Sequence, residues 1–285
     1  GLGDVYKRQI IGVDAGGSMT KAVALEDSKI LGTASTQTVE PKKSAEEAIK
    51  LVVSTVGLHL RDVEKVAVSG GGSRRIDSPL LGLPTVMVDE ITAIGLGGIY
   101  LTKKERALIV SVGTGTAMVV VYDGGRSIRH IGGTGVGGGT ILGLAKRMLG
   151  VVDFKTLEDM ASRGDAEKVD LTVRDIAGGP VGIIPAEATA SNFGRLTGEE
   201  EPNDIAAAIF NMVSQVVGVL AAMAARAYNL REDVVFVGKP VQSRIIAENL
   251  RRVAELFNIG ITIPEDGEYC TALGAAGYVA RRSTQ

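Results

Sequence analysis

With a single cysteine, Cys270, the 285-residue chain can form no internal disulfide and no cysteine-built zinc site from one copy, a usage that suits a reducing cytosol. Basic residues are not in excess. Against 33 Asp and Glu stand 31 Lys and Arg, a net charge of −2 that argues against nucleic acid as a partner. The most apolar run, VVGVLAAMAA at 216–225, is too short to span a bilayer, and no secretory signal is visible. A cytoplasmic protein without membrane association is therefore expected. The pattern G-x-x-x-x-G-K-[ST] is also missing, which excludes a P-loop NTPase.

What is present is ordinary in bulk. Apolar residues make up 45% and charged residues 22%, a globular profile, and the length allows one large or two medium domains with a real core. The leader GLGDVYKRQ has no initiator Met and precedes the first strand abruptly, so it is expected to be a remnant foreign to the fold. IIGVD reads as a strand, AGGS as a turn and MTKAVALED as a second strand, which predicts an opening β-hairpin. Ser44 and Glu47 fit a capping box ahead of a helix whose apolar face carries Ala48, Ile49, Val52, Val53 and Val56. VEKVAVSG, ending in GGG, and PTVMVDE read as strands, and a helix follows from Glu90 to Leu101. ALIVSVGTGTAMVVVYDGG then repeats the opening theme, a weak internal duplication. The polar TKKER at 102–106 is the expected boundary, giving domains 10–104 and 105–285. Further on come a helix and turn in FKTLEDMASRGD, a long helix from Asp204, a buried strand VVFVGK and the helix SRIIAENLRRVAELF. Alternation of strands and helices predicts an α/β fold.

Residues 131–140 read IGGTGVGGGT, although glycine suits neither an ordinary helix nor a strand. RSIRHI before it alternates like a strand, and TILGLAKRML after it reads as a helix. A strand, a glycine turn and a helix start make a phosphate site, because free N–H groups and the helix dipole favour an anion. Tight backbone packing is the other explanation. GTGVGG at 133–138 also matches the dinucleotide pattern, with Asp153 downstream. Only Val151 and Val152 precede that aspartate, too few for the second strand of a βαβ unit. Together with DAGGS, GTGT and VGK, the chain carries several glycine turns at strand ends, and such turns can hold one triphosphate through backbone N–H groups.

In this order the turns resemble the superfamily of actin, heat-shock ATPases and sugar kinases. Over residues 10–280 the resemblance sharpens to the type II pantothenate kinases, on IIGVDAGGSMTK, VDEITAIGLGG, VSVGTGTA, GGTGVGGGTILGL, VDLTVRDI, ATASNFG and VVFVG. It implies two ribonuclease-H-like, actin-like ATPase domains with the nucleotide in the cleft between them. It also implies a homodimer, ATP and Mg2+ as cofactors, and phosphorylation of pantothenate to 4′-phosphopantothenate, the opening step towards coenzyme A. Coenzyme A or an acyl-CoA becomes a candidate feedback ligand. In the long helix, Val219, Ala221, Ala222, Ala224, Ala225 and Ala227 leave small residues almost all round, which is expected to admit the helix of a second copy.

On the matching positions, the resemblance gives Asp14 to magnesium and phosphates, and Gly16, Gly17 and Ser18 to phosphate. Lys21 is a cation for the same phosphates or an outward strand lysine. Glu90 matches the family's glutamate that removes the proton from the acceptor hydroxyl; the competing reading is a helix cap, which Asp89 fits better. Thr114 and Thr116 match contacts to phosphate and acceptor, and Gly137, Gly138 and Gly139 the other wall of the phosphate site. Phe154 matches an aromatic near the adenine, or is a helix-start core residue; Gly238 sits at the nucleotide end of the late strand. His130 and Asn192 fall at substrate-binding positions.

His130 is also a departure, because the family carries arginine there. Histidine has one useful donor, a shorter reach and partial charge near neutral pH. Arg129 should point the other way in a strand. Lys239-Pro240 likewise replaces small polar residues. The acceptor thus stays open between pantothenate and another alcohol, and a weakly active regulator binding ATP or acyl-CoA stays an alternative. Activators of 2-hydroxyacyl-CoA dehydratases share the fold and the EITA stretch, but they hold an iron–sulfur cluster with two cysteines per subunit, and this chain has only Cys270.

Overall fold

The computed structural model describes residues 9–27 and 29–282. The leader lies outside them except for Gln9, which belongs to the fold as the first residue of β1 (Gln9–Ala15). β1 and β2 (Met19–Glu26) form the expected hairpin, closed by the Gly16 N–H donating to the Met19 carbonyl at 3.1 Å. β3 (Lys29–Gln37) extends the meander; most of its residues are half-buried, so it carries no apolar alternation to read.

The capping box expected at Ser44 and Glu47 does not form. α1 (Pro41–Thr55) starts ahead of both, with the Glu40 carboxylate accepting from the N–H groups of Lys42 at 3.0 Å and Lys43 at 3.3 Å. Pro41 takes the first position, where a missing N–H costs nothing. Ser44 turns inward and ties the β3–α1 connection, donating to the Gln37 carbonyl and accepting from the Val39 N–H. β4 (Val63–Ser69) follows, then β5 (Thr85–Met87), shorter than PTVMVDE because Asp89 already caps α2 (Glu90–Thr102).

β6 (Ala107–Val112) and β7 (Thr116–Tyr122) are the second hairpin, and β8 (Ser127–Thr134) leads to α3 (Gly138–Leu149) and α4 (Phe154–Ala161). β9 (Leu171–Thr172) and β10 (Thr189–Ser191) pair around the short α5 (Val173–Ala177). The long α6 (Pro202–Ala227), β11 (Val234–Val237), α7 (Arg244–Phe257), β12 (Ile261–Thr262) and α8 (Cys270–Arg282) complete the chain. The first sheet has the order β3-β2-β1-β4-β5. Read from its other edge, the second runs β8-β7-β6-β11-β12 and repeats that plan. The weak duplication in the sequence is thus a duplication of topology.

The boundary expected at 102–106 falls between α2 and β6. Packing groups the described chain into two compact units: residues 9–109, 119–131 and 264–282, and residues 110–118 and 132–263. In the first, Ile11, Val13, Ala22 and Ala24 pack on Ala48, Ile49 and Val52 of α1. The opposite sheet face buries Ile10, Val23 and Leu25 against Ala272, Ala275 and Ala276 of α8. Glycine lets α8 and α2 touch: a Cβ on Gly274 would lie 1.7 Å from the Ala93 carbonyl oxygen.

In the second unit α6 is the central helix, flanked by α3, α4 and α7. Its small residues serve this packing. Gly218 lies against Val253, and Ala221, Ala222 and Ala225 are buried within the unit. Of its large apolar side chains, the helix leaves Leu220 and Met223 exposed. By length and composition α6 could cross a membrane, which the run 216–225 alone did not suggest; most of it is buried in the unit, as in a core helix.

Candidate active site

In the first unit, Asp14 stands opposite Lys21 of β2 and beside Ser69 of β4, so these three side chains share one face of the sheet. That face meets α8, since a Cβ on Gly12, two residues earlier, would lie 1.9 Å from the Ala272 carbonyl oxygen. The turn at 70–72 closes over Asp14. Gly70 has φ +91°, and a Cβ there would come within 2.4 Å of the Asp14 Oδ1. No other residue fits so close a carboxylate at that backbone angle. Burial raises the Asp14 pKa to about 6, with Lys21 opposing the shift and Glu90 adding to it. The Ser69 hydroxyl beside it is fully buried and without a hydrogen-bond partner among the described residues.

Glu90 reaches the same turn, its Oε2 4.0 Å from where a Cβ on Gly71 would be. Its neighbour Asp89 does the capping, accepting from the Thr92 N–H at 2.9 Å and the Thr92 hydroxyl at 3.0 Å. Glu90 is therefore not needed as a cap. Desolvation, then the charge of Asp89, raises its pKa above the usual glutamate value. The Gly16 N–H is engaged inside the hairpin and its carbonyl accepts from the Thr38 hydroxyl after β3, while Gly17 and Ser18 are exposed at the tip. Cys270 is buried at the start of α8, its thiol donating to the Ile94 carbonyl, and burial pushes it far above the ordinary thiol range. It is an inert thiol. The glycines at 70–72 were visible as the end of VEKVAVSGGGS, but nothing in the sequence showed that they separate Asp14 from Glu90.

His130 lies exposed on the edge strand β8. Ile128 of that strand packs against Gly95 of α2, and Gly125 before it lies against Leu96. His130, two residues after Ile128, shares the face turned to α2, and Arg129 takes the other.

In the second unit the turn after β6 and the start of α3 interlock. The Gly138 N–H donates to the Gly113 carbonyl at 2.8 Å, the Gly139 N–H to the Thr114 carbonyl at 2.9 Å, and the Gly137 N–H to the Thr140 hydroxyl at 3.1 Å. These donors are occupied within the protein. The glycines answer to close approach: a Cβ on Gly133 would meet the Thr116 carbonyl oxygen at 2.1 Å, and one on Gly137 those of Thr114 and Gly115 at 2.8 Å. Thr116 is buried and donates to the Val136 carbonyl at 2.8 Å, whereas Thr114 is exposed at the turn. Gly238 has φ +106° and presses on Val112, a Cβ falling 2.0 Å from its carbonyl oxygen. Pro240 seats against Gly138, and Lys239 is exposed beside it.

Phe154 opens α4, half-buried, its ring 5.5 Å from that of Phe210 in α6. Asn192 belongs to a polar network that the sequence did not announce. Asp170, 1% exposed, accepts from the Phe193 N–H at 2.7 Å, Asn211 at 2.8 Å and Asn192 at 3.3 Å. Burial raises the Asp170 pKa while those donors lower it, and Gln215 and Thr189 complete the set. The network holds Phe193 at φ +58° and so fixes the chain beside Asn192.

Two sheets of one plan, each opening on a hairpin with a glycine turn, define the actin-like ATPase and sugar-kinase fold. Solved structures agree. The activator of the 2-hydroxyisocaproyl-CoA dehydratase from Clostridium difficile, with bound ADPNP, aligns at TM-score 0.71 and 19% identity over 97% of each chain. A ROK family glucokinase from Streptomyces griseus, in complex with glucose and AMPPNP, aligns at 0.57 and 16%, over 95% of this chain and 98% of its own. Sequence goes further. The Fumble family model matches residues 98–275. A type II pantothenate kinase of Staphylococcus aureus (strain USA300) is 31% identical over 278 residues, 93% of this chain and 97% of its own. The chain belongs to the Fumble family of type II pantothenate kinases, and it is a kinase.

Proposed function

We propose that the enzyme transfers the γ-phosphoryl group of ATP to the primary hydroxyl of pantothenate, giving 4′-phosphopantothenate, the opening step towards coenzyme A. The observation that carries this reading is the pair of carboxylates on one glycine turn, with Glu90 relieved of capping by Asp89.

Glu90 is the base that takes the proton of the acceptor hydroxyl, and its raised pKa favours accepting one. Asp14 holds Mg2+. That ion needs only one or two carboxylates, with water and phosphate oxygens completing its shell, so the lack of a three-ligand cluster among the described residues is compatible with it. The orphan Ser69 hydroxyl is a polar partner for the water of such a shell. When bound, the ion neutralises phosphate charge; Lys21 on the same face adds a fixed cation, and Gly16, Gly17 and Ser18 border the phosphates. In the second unit, Thr114 offers its hydroxyl and α3 the positive end of its dipole, brought close by Gly137, Gly138 and Gly139. Thr116 supports that turn from within. Gly238 and Phe154 bound the nucleotide, and His130 and Asn192 orient the acceptor.

A homodimer forms through α6, where Leu220 and Met223 continue a stripe with Met212, Val216 and Val219. The enzyme works in the cytoplasm, with coenzyme A or an acyl-CoA as feedback ligand. An electron-transferring activator is disfavoured, because the one cysteine is buried and bonded to Ile94. A coupled ADP-release assay across pantothenate, pantetheine and a sugar panel tests the assignment. Release should require pantothenate; turnover of another alcohol without it would reassign the acceptor.

A further inference from the structure

The first unit contains a cavity of about 450 Å³ at the opposite end of its inner strands from Asp14, and we infer that it is a second ligand site, for a small organic monoanion with an apolar body. Three elements connect it to the carboxylates. β1 runs from Ile10 at the cavity to Asp14. α2 runs from Glu90 to its cap Lys103, about 20 Å at 1.5 Å per residue, and α8 runs from Cys270 to Arg281. The volume lies within the range of small-molecule pockets.

Gly277 carries the inference. Its fellow in α8, Gly274, is required, since a Cβ there would strike the Ala93 carbonyl. A Cβ at Gly277 would meet nothing within 4 Å, and the backbone there is helical. Glycine weakens a helix interior, so packing gives no reason for it. What the missing side chain leaves open is the cavity, which Gly277 lines.

The lining defines the ligand. Ile10, Leu25 and Ile99 provide an apolar floor, and Lys103, Lys104 and Arg281 a basic rim. Asp27 and Glu105 also border it, leaving an excess of one positive charge. The Lys103 ammonium sits 3.9 Å from the centre of the Tyr100 ring, and Arg281 is held by donating to the Gly124 carbonyl at 3.2 Å. That ammonium covers the ring face, so the cations suit an anionic group and the aliphatic floor an apolar body. Cations at the ends of α2 and α8 also answer the helix dipoles, but that role leaves Gly277 unexplained.

The probe is 8-anilinonaphthalene-1-sulfonate, titrated by fluorescence into the full chain with a non-hydrolysable ATP analogue and pantothenate in excess. One equivalent should bind. Gly277→Leu should weaken binding at least tenfold, and Lys103→Glu with Lys104→Glu at least threefold, with kinase turnover unchanged in both. The charge-reversed variant decides the matter should Gly277→Leu fail to fold. Absence of saturable binding, unaltered affinity in a folded variant, or loss of the probe on adding nucleotide and pantothenate would overturn the inference.

Discussion

Asp14 and Glu90 flank one glycine turn, Gly70 lying on the first carboxylate and Gly71 near the second. Burial lifts the Asp14 pKa to about 6, Lys21 pulls it down, and the charge of Glu90 pushes it up. Binding of the magnesium nucleotide should therefore weaken as pH falls through about 6. In Glu90→Gln the like charge is gone, and calorimetry across pH should find that midpoint displaced downward. An unmoved midpoint would uncouple the two residues.

The same shift makes a stability statement. The folded value of about 6 exceeds the unfolded 3.8, so ionised Asp14 disfavours folding, by nothing below 3.8 and in full above about 6. Asp14→Asn should raise the melting temperature near neutral pH, lose that gain as pH approaches 3.8, and lack turnover. An equal gain at both ends would mean that burial of the charge is not the cause.

Capping by Asp89 and the proposed base role of Glu90 fall at neighbouring positions. Glu90→Gln should keep nucleotide affinity and lose roughly 10²–10⁴-fold in turnover, the usual worth of a positioned base. Asp89→Ala should cost about 1 kcal/mol of stability by denaturant unfolding and leave more activity than Glu90→Gln. The reverse pattern would make Glu90 a structural residue.

Two glycines of one motif should respond differently. Gly135 has open space around its would-be Cβ, so Gly135→Ala should stay within about 0.5 kcal/mol of the parent. Gly137→Ala drives a methyl group onto two carbonyls and should cost at least about 2 kcal/mol, with loss of nucleotide binding. Equal tolerance, by thermal unfolding and calorimetry, would remove the interlocked-loop explanation.

Much of this was legible beforehand, for local reasons. The hairpins and α6 announced themselves because periodicity and turn glycines are local signals. β3 and α8 did not: one is half-buried along its length, and the other packs with small residues on several sides. Ser44 and Glu47 matched a capping pattern, yet Glu40 and Pro41 offered a start nearer the strand, which the spacing could not rank. The glycines of 133–139 were seen, but which carbonyls they approach is a tertiary fact. So is the network around Asp170, assembled from the residue before β9, from β10 and the turn after it, and from α6.

The proposed dimer would form on exposed Met223 and Leu220, of which Met223 is 57% accessible. Light scattering at micromolar concentration should give a dimer for the parent and a monomer for Met223→Glu, both folded. A monomeric parent would contradict it.

The most direct measurement identifies the product. The enzyme, ATP, Mg2+ and pantothenate are incubated and the mixture is analysed by mass spectrometry and phosphorus NMR, with Glu90→Gln alongside. A phosphomonoester on the primary hydroxyl of pantothenate, formed by the parent and almost absent with the variant, is the expected result. Intact pantothenate, under conditions where the parent binds nucleotide and phosphorylates a different alcohol, would contradict the assignment.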